Sequence, residues 1–403
     1  MNFSGFLIRK NIHGFLCLTV IVVIMVAGLW PFNFWPENKV RWLKDQNGIQ
    51  FFDQAIIYST IPFFQSSGSS FLPPTPSTLH PFSLEIWLQP EKESYDYTAC
   101  ILALHTNQGF TNLSMGEWKS HLILQNRIGE RYQKIGLRDV FKKGVKRLFT
   151  ITSGPEGTKI YIDGKLTGNY PRFNLFLGNE GNIGQLILGN SPTGKQYWTG
   201  NLLGLAIYDR PLTEEQILKS FEGWEKNKKS PLLKEEGLLS LYFFGERSGT
   251  LAHDSVGGYH LLIPPRFEVL KKTILVPPWE DFSLSRSYFM DILTNILGFI
   301  PFGFFFSAYL QQRKPRSTFR ILLISVLLAG CISLSIELIQ VYLLTRSSQL
   351  TDVIMNILGA ALGVILFHFY QRHSIQKFFI QWKNKSDPFS ASPKAGALSF
   401  SRS

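Results

Sequence analysis

Four runs of apolar residues divide this 403-residue chain into parts that must fold in different solvents. Each run is close to the roughly 20 residues that a helix needs to cross the hydrocarbon core of a bilayer. Because that core holds no water to bind backbone groups, we expect the runs to be helices. The runs are Gly14 to Phe32, Tyr288 to Leu310, Phe319 to Leu344, and Asp352 to Tyr370. They predict an α-helical transmembrane bundle of four spans.

Basic residues beside these runs indicate how the chain is oriented, since cytoplasmic loops carry an excess of lysine and arginine. Arg9 and Lys10 precede the first run, and no small-residue cleavage site follows it, so we expect an uncleaved first helix. The other two clusters comprise Arg313, Lys314, Arg316, Arg320, Arg372, Lys377, Lys383 and Lys385. All three clusters predict cytoplasmic N- and C-termini, a multi-pass protein of the bacterial cytoplasmic (inner) membrane, and an extracytoplasmic segment after the first span.

The same pattern predicts four parts along the chain. Residues 1–36 form a cytoplasmic stub and the first helix, 37–280 an extracytoplasmic domain, 281–372 three further membrane helices, and 373–403 a basic and then disordered tail. The net charge of +12 does not indicate nucleic acid binding, because the cations are scattered or flank the apolar runs. The three cysteines lack metal-like spacing, so we expect neither a disulfide framework nor a metal site from them. The oligomeric state stays open.

The segment between the first two spans has the pattern of an all-β fold. Phe82 to Gln89 alternates apolar with polar or amphipathic residues, which is the period of a half-buried strand. Asp163-Gly164 predicts a hairpin, because these residues tolerate the positive φ angles of a type I′ turn. One short helix is expected where Thr213 and Gln216 can form a capping box. Many short strands punctuated by turn residues predict a β-sandwich.

Several of these segments together resemble the LamG-like, concanavalin A-like lectin/glucanase jelly rolls. The segments are the hairpin Tyr161 to Leu166, Trp198 to Leu202 and the helix Pro211 to Ile217, within a resemblance over about Phe82 to Phe221. The resemblance implies a jelly-roll sandwich, which in this family contacts glycans, sometimes binds Ca²⁺, and sometimes serves as a spacer. No other cofactor is implied.

Two residues of the first long strand bear on that expectation. Glu85 lacks the partner carboxylates that the glucanase relatives place along one strand, so we do not expect glycosidase activity. Trp87 is a candidate glycan contact, because an indole can stack on a sugar ring. The alternative, which we favour, is that a loop or the membrane part covers Trp87.

Two of the apolar runs open with nearly the same eight residues. Asp291 to Gly298 and Asp352 to Gly359 match at Asp, Asn, Ile, Leu and Gly. On a helix, positions i, i+4 and i+7 share a face, so each repeat places a carboxylate, a carboxamide and a glycine together. A charged side chain in hydrocarbon costs roughly 2.5–3.5 kcal/mol. The repeat therefore indicates a polar site that serves a function, with headgroup-level or capping positions for the aspartates as the alternative.

The third run adds polar groups to the same end of the bundle. Its face holds Ser333, Glu337 and Gln340, and Glu337 is expected on the order of 10 Å below the outer surface. The predicted intramembrane polar site comprises Asp291, Asn295, Glu337, Gln340, Arg346, Asp352 and Asn356. Three carboxylates and one guanidinium cannot all pair, so either an acid is protonated or a cationic partner completes the site.

Small residues near this site predict close helix packing. They are Gly298, Gly303, Gly359 and Gly363, and Pro301 is grouped with them. Because proline lacks an N–H group, Pro301 also frees a backbone carbonyl and predicts a kink in the second span.

In their order and spacing these residues resemble the VanZ-like membrane family. The matching positions fall in Asp291 to Gly303, Ser335 to Gln340 and Arg346 to Gly359, and the resemblance spans Gly14 to Pro36 and Tyr288 to Tyr370. It implies an association with reduced susceptibility to the glycopeptide teicoplanin, through a biochemical activity that is unsettled. The β domain would be an insertion after the first helix, which short members of the family lack.

Four functions are compatible with these patterns. The leading hypothesis is a non-enzymatic cell-envelope protein whose polar site binds a lipid headgroup or lipid-linked envelope precursor, while the β domain contacts glycan. The second is an intramembrane enzyme with Glu337 or an aspartate as general base, although no nucleophile pairing accompanies it. The third is transport, which the repeat favours. The fourth is a membrane anchor for a carbohydrate-binding module.

Overall fold

The computed structural model describes residues 3–62, 81–106, 111–128, 131–175, 184–226, 232–313, 316–343 and 346–386. Side chains are described from Ile12 to His373 within those ranges, except that of Ile128. The chain divides into two compact units, Met1–Phe34 with Thr273–Ser403, and Trp35–Lys272. Outside the described residues lie Lys314, the tail from residue 387, and the side chains of Arg9, Lys10, Lys377, Lys383 and Lys385.

The second unit is built from β-strands. In its described residues they are β1 Val40–Trp42, β2 Ile49–Phe51, β3 Ile57–Ser59, β4 Phe82–Pro90, β5 Ala99–Thr106, β6 Thr111–Trp118, β7 His121–Ile128, β8 Arg131–Leu137, β9 Arg147–Gly154, β10 Gly157–Ile162, β11 Lys165–Tyr170, β12 Gly184–Leu188, β13 Gly200–Tyr208, β14 Leu238–Tyr242, β15 Leu251–Ala252 and β16 Leu261–Leu262. The helix α2, Glu214–Glu225, follows β13.

These strands form two antiparallel sheets that pack as a sandwich. The first sheet has the order β1-β2-β13-β4-β9-β10-β11, with β14 also paired to β13. The second has the order β15-β16-β3-β12-β5-β6-β7-β8. Neighbours distant in sequence, such as β13 beside β4 and β12 beside β5, run antiparallel. The prediction of an all-β jelly-roll sandwich is confirmed.

The alternation along β4 explains how one strand serves two faces. Leu84, Ile86 and Leu88 belong to the core between the sheets. Glu85 and Trp87 point the other way, because successive side chains of a strand face opposite sides. The outer face of the first sheet is therefore not a solvent face but a second, smaller core under α2.

The helix α2 begins at the predicted capping box. The Thr213 hydroxyl accepts a hydrogen bond from the Gln216 N–H at 3.3 Å, and the Gln216 side chain accepts one from the Thr213 N–H at 2.9 Å. Ile217 and Trp224 of this helix are buried in the smaller core. The cap thus fixes where the chain turns back to cover the first sheet.

A buried carboxylate joins α2 to that sheet. Glu85 accepts hydrogen bonds from the Ser220 hydroxyl at 2.6 Å, the Trp224 indole at 2.9 Å and the Tyr208 hydroxyl at 3.1 Å, and the Thr150 hydroxyl lies 3.4 Å away. Burial is the main cause that raises the pKa of Glu85 above its ordinary value, and these hydrogen bonds act in the opposite direction. Glu85 is thus a structural acid of the sandwich.

The predicted hairpin is present between β10 and β11. Asp163 and Gly164 have φ angles of 50° and 77°, as a type I′ turn requires. The Asp163 carboxylate also accepts hydrogen bonds from the Arg147 guanidinium at 2.6 Å and from the Leu148 N–H at 3.0 Å. The turn is therefore tied to β9 as well as to its own strands.

The other unit is helical. Its described helices are α1 Phe3–Leu29, α3 Pro278–Asp281, α4 Arg286–Arg313, α5 Thr318–Gln340 and α6 Leu350–Ser386. In the described part of the chain α1, α4, α5 and α6 are long and apolar enough to cross a membrane. The chain is therefore a membrane protein with four candidate spans, as predicted. Because α6 continues to Ser386, residues 374–386 of the predicted tail are helical.

Three predicted packing glycines bring α4 and α6 into contact. A Cβ atom added at Gly303, Gly359 or Gly363 would lie well inside 3.0 Å of backbone atoms on the opposite helix. The backbone met is that of Ala360 at Gly303, of Ile296 at Gly359, and of Ile300, Gly303 and Phe304 at Gly363. Since a backbone cannot move aside as a side chain can, only glycine permits this separation.

Gly298 does not have the packing role predicted for it. A Cβ atom there would meet nothing within 4 Å, because Gly298 lies five residues from Gly303, or about 140° around the helix, and faces away from α6. Pro301 is exposed, and α4 runs as one helix through it. The equivalent glycines of the two repeats, Gly298 and Gly359, thus lie in different surroundings.

Candidate functional site

The ends of four helices meet a short loop at one end of the helical unit. The helices α1 and α5 end there, and α4 and α6 begin there. The loop between α5 and α6 is held by the extended stretch before α3. The Val276 N–H donates to the Ser348 carbonyl at 2.9 Å, and the Leu350 N–H donates to the Val276 carbonyl at 3.0 Å. These backbone hydrogen bonds fix the loop beside the helix ends.

Glu337 lies at the last turn of α5, and only 2% of its surface is exposed. Its Oε2 atom accepts a hydrogen bond from the Gln349 N–H at 2.7 Å, and the Ser348 hydroxyl is close to the carboxylate. Asp352 and Arg346 are charged groups within electrostatic range. A carboxylate can accept about four hydrogen bonds, and among the described residues the donors beside Glu337 are the Gln349 N–H and the Ser348 hydroxyl.

The aspartates of the two repeats lie near each other. Asp352 is half-buried, with the Asn295 amide beside its carboxylate, and Asp291 is exposed within electrostatic range. The Asp281 carboxylate of α3 also lies within electrostatic range of Asp352, and it accepts a hydrogen bond from the Gln349 side chain. We call Asp281, Asp291, Glu337 and Asp352 the acidic cluster.

Two predicted site residues have another task in the structure. The Gln340 amide donates to the Gly28 carbonyl at 2.8 Å, and the Arg346 guanidinium donates to the carbonyls of Trp30 at 3.2 Å and Ala27 at 3.3 Å. The last carbonyls of a helix have no partner within the helix. Gln340 and Arg346 therefore close the end of α1, and Arg346 remains within range of the acidic cluster.

Asn356 joins α6 to α5. Its amide nitrogen donates to the Ser333 hydroxyl at 2.8 Å, and only 6% of the residue is exposed. Its Oδ1 atom is buried and has no hydrogen-bond partner among the described residues. Asn356 lies one turn along α6 from Asp352, and Ser333 one turn along α5 from Glu337. This pair of residues thus forms the floor under the two carboxylates.

The structure assembles the predicted site only in part. It brings together Asp291, Asn295, Glu337 and Asp352, with Arg346 nearby. Asp281, Ser348 and Gln349 also lie at the site and were not predicted from the sequence. Ser348 and Gln349 lie between the recognised Arg346 and Asp352, which is the signal that could have found them, whereas Asp281 stands outside any apolar run.

Trp87 is placed where packing explains it. Its ring lies against Phe221 of α2, with centroids 6.2 Å apart, and it borders the smaller core of the sandwich. Trp87 is half-buried, and helix α2 covers it in part, which agrees with the packing alternative except that the cover is a helix of the β unit and not a loop or the membrane part. The glycan contact stays a prediction.

A groove on the outer face of the second sheet offers a different place for a sugar. It has a volume of about 220 Å³. The Asn190 side chain holds the loop at its rim by accepting hydrogen bonds from the N–H groups of Ser191 at 2.9 Å and Gln196 at 3.1 Å. The polar residues along the groove include Thr98, Ser114, Gln125, Tyr132, Ser191 and Gln196. Neutral hydroxyl and amide groups can both donate to and accept from sugar hydroxyls.

No group of three or more His, Cys, Asp or Glu side chains in the described part of the chain is arranged to hold a metal ion. The described residues therefore offer no cluster of acidic side chains for the Ca²⁺ that the LamG resemblance allows.

Comparison with protein families matches both parts of the chain. Residues 237–371 match the family described as VanZ/LLP1, and residues 64–218 match the concanavalin A-like lectin/glucanases superfamily. The first match also includes the last strands of the β unit. Both resemblances found in the sequence are confirmed. A search of curated proteins finds no match.

Solved structures resemble the chain only distantly. The binding domain of botulinum neurotoxin DC in complex with rat synaptotagmin II is 17% identical, with 37% of each chain covered and a TM-score of 0.29. A pentraxin from Limulus polyphemus is 13% identical (56% of this chain, 95% of that chain, TM-score 0.34). A protein from Bacteroides ovatus described as a putative carbohydrate binding protein is 14% identical (56% of this chain, 62% of that chain, TM-score 0.35). The chain spans little more than a third of the first of these, and none of them assigns it a ligand.

Proposed function

We propose that this chain, which combines a VanZ-like membrane region with a LamG-like β-sandwich, binds the headgroup of a membrane lipid or of a lipid-linked envelope precursor at its acidic cluster. The observation that carries the proposal is the buried Glu337 carboxylate, which has the Gln349 N–H and the Ser348 hydroxyl beside it but forms no ion pair with a described lysine or arginine. A charge in this setting costs roughly 2.5–3.5 kcal/mol unless it is compensated. A bound headgroup with hydrogen-bond donors would provide that compensation.

The distribution of basic residues supports a bacterial cytoplasmic membrane with both termini inside. In that orientation the acidic cluster lies in the outer half of the bilayer, and the β-sandwich is extracytoplasmic. Both binding parts then face the compartment that holds envelope precursors and glycans. Teicoplanin resistance, which the VanZ resemblance implies, has no separate support in the geometry of the site.

Glu337→Gln is expected to weaken lipid retention by at least about tenfold, because it removes a charge-assisted acceptor while preserving side-chain size. The measurement is native mass spectrometry of the purified full chain. The wild-type protein should retain a lipid of defined mass, and the variant should lose it.

Glu280→Gln is the matched control for that experiment. Glu280 is an exposed acid beside Asp281, and no described interaction of its side chain joins it to the acidic cluster. It should retain lipid as the wild type does. Equal retention by wild type, Glu337→Gln and Glu280→Gln would remove the acidic cluster from lipid binding.

For the β-sandwich we propose glycan contact at the groove of the second sheet. Tyr132 is half-exposed there, and the Gln125 amide lies in the same groove. The double variant Gln125→Ala, Tyr132→Ala should reduce affinity at least about tenfold for any glycan that the wild-type protein binds on an array, because it removes hydrogen bonds and a stacking surface.

Gln133→Ala provides the comparison, since Gln133 follows Tyr132 on β8 and points to the opposite face. Binding that survives the double variant, or an array on which the wild-type protein binds nothing, would exclude the groove. The sandwich would then be a spacer.

A further inference from the structure

Three carboxylates of the acidic cluster have no ion-pair partner among the described residues. No described lysine or arginine nitrogen lies within 4.0 Å of the carboxylates of Asp291, Glu337 or Asp352. Arg346, the cation within range, donates instead to two carbonyls at the end of α1. Arg346 thus acts on Glu337 and Asp352 from a distance, and these two carboxylates and that of Asp291 have no ion pair with a described lysine or arginine.

The floor of the site independently lacks a donor. The buried Oδ1 atom of Asn356 has no partner among the described residues, although the nitrogen of the same amide is used by Ser333. Asn356 is 94% buried (6% exposed) and shares a helix face with Asp352. A buried carbonyl oxygen without a hydrogen bond costs on the order of 1–3 kcal/mol, so a donor entering from the site would satisfy it.

The site is open on the side of α4. Asp291 is exposed, and the residues around it on that helix, Met290 and Leu293, are exposed apolar side chains. In a membrane such a surface meets lipid. A headgroup in the bilayer plane can therefore contact the acidic cluster at Asp291, on the exposed side of α4.

We infer that the headgroup is zwitterionic and carries a primary ammonium group, as a phosphoethanolamine headgroup does; this inference rests on the proposed lipid-binding function. An ammonium has three N–H donors and one positive charge, which match carboxylates and an unpaired amide oxygen. A trimethylammonium group has the same charge but no N–H donor. The headgroup phosphate would lie toward Arg346, which is exposed and whose Nη1 atom has no described partner.

The test varies the lipid rather than the protein. The purified, delipidated full chain is exposed to equimolar lipids with identical acyl chains, and retention is read by native mass spectrometry. Phosphatidylethanolamine, its N-methyl derivative, its N,N-dimethyl derivative and phosphatidylcholine carry three, two, one and no ammonium N–H donors, respectively. The fifth lipid, phosphatidylglycerol, has no ammonium group. Retention should fall stepwise, by at least about tenfold from the first lipid to phosphatidylcholine.

In Asp352→Asn the retention of these lipids should differ by no more than about twofold, whereas Glu280→Gln should show the same differences in retention as the wild type. Retention that is equal across the series, or highest for phosphatidylglycerol, would overturn the ammonium inference and leave lipid binding standing. No retention of any lipid by the wild-type protein would instead contradict the proposed function itself. The methylation series needs only wild-type protein, so a poorly folded variant does not prevent a decision.

Discussion

Gly303→Leu is expected to abolish the close packing of α4 against α6 and to destabilise the helical unit by at least about 3 kcal/mol. The side chain would have to occupy the position of the Ala360 backbone on the opposite helix. Because a helix backbone moves only as a whole, the two helices must separate, and the acidic cluster that they share would separate with them. Thermal unfolding of the purified full chain in detergent should show the loss as a large drop in midpoint.

Gly298→Leu is the matched control, since it makes the same change on the same helix. An added Cβ atom there meets nothing within 4 Å, and the position is exposed. Its unfolding midpoint should stay near that of the wild type, because leucine also favours the helix over glycine by roughly 0.5–1 kcal/mol. Similar losses for both variants would show that the helices do not pack as described.

Glu85→Ala is expected to have the second largest effect, a loss of about 3–5 kcal/mol in the stability of the β-sandwich. The substitution leaves the buried hydroxyls of Tyr208 and Ser220 and the Trp224 indole without their common acceptor, and it opens a cavity under α2. Glu85→Gln should cost less, about 1–2 kcal/mol, because the amide oxygen still accepts hydrogen bonds. Denaturant unfolding of the full chain, followed by tryptophan fluorescence, measures both.

The stability that Glu85 contributes to the β-sandwich should decrease as the pH rises. Burial raises the pKa of Glu85, so its contribution is fully present below the unfolded pKa and is lost as the pH rises through the folded pKa. The difference in stability between wild type and Glu85→Gln should therefore narrow or reverse as the pH rises from 4.5, the ordinary pKa of a glutamate. The exposed Glu93, replaced by alanine, should show neither effect. A difference that does not change with pH would mean that folding does not raise the pKa of Glu85.

Local patterns predicted the elements well because their causes are local. The period-two alternation of β4, the Asp163-Gly164 turn and the Thr213 cap each depend on residues a few positions apart, and all three are present. The i, i+4 spacing of the repeats likewise predicted which residues share a helix face. It did not predict what that face meets.

The errors follow from that limit. Gly298 and Gly359 are equivalent in the repeat, yet one faces open space and the other the backbone of α4. Trp87 is on the predicted face of its strand, but α2 comes from far along the chain to cover it. Gln340 and Arg346 fit a polar site by type, and no local signal says that their partners are carbonyls of α1. Such partners depend on tertiary packing.

The closure of α1 has a consequence for biosynthesis. Gln340 lies 312 residues after its partner Gly28, so at 5–20 residues per second the ribosome needs roughly 15 to 60 s to supply it. During that interval the carbonyls of Ala27, Gly28 and Trp30 must find water or another protein. The end of α1 therefore stays without these hydrogen bonds until α5 and the loop after it have been made. Replacing α1 by an unrelated anchor would remove the carbonyls to which Gln340 and Arg346 donate.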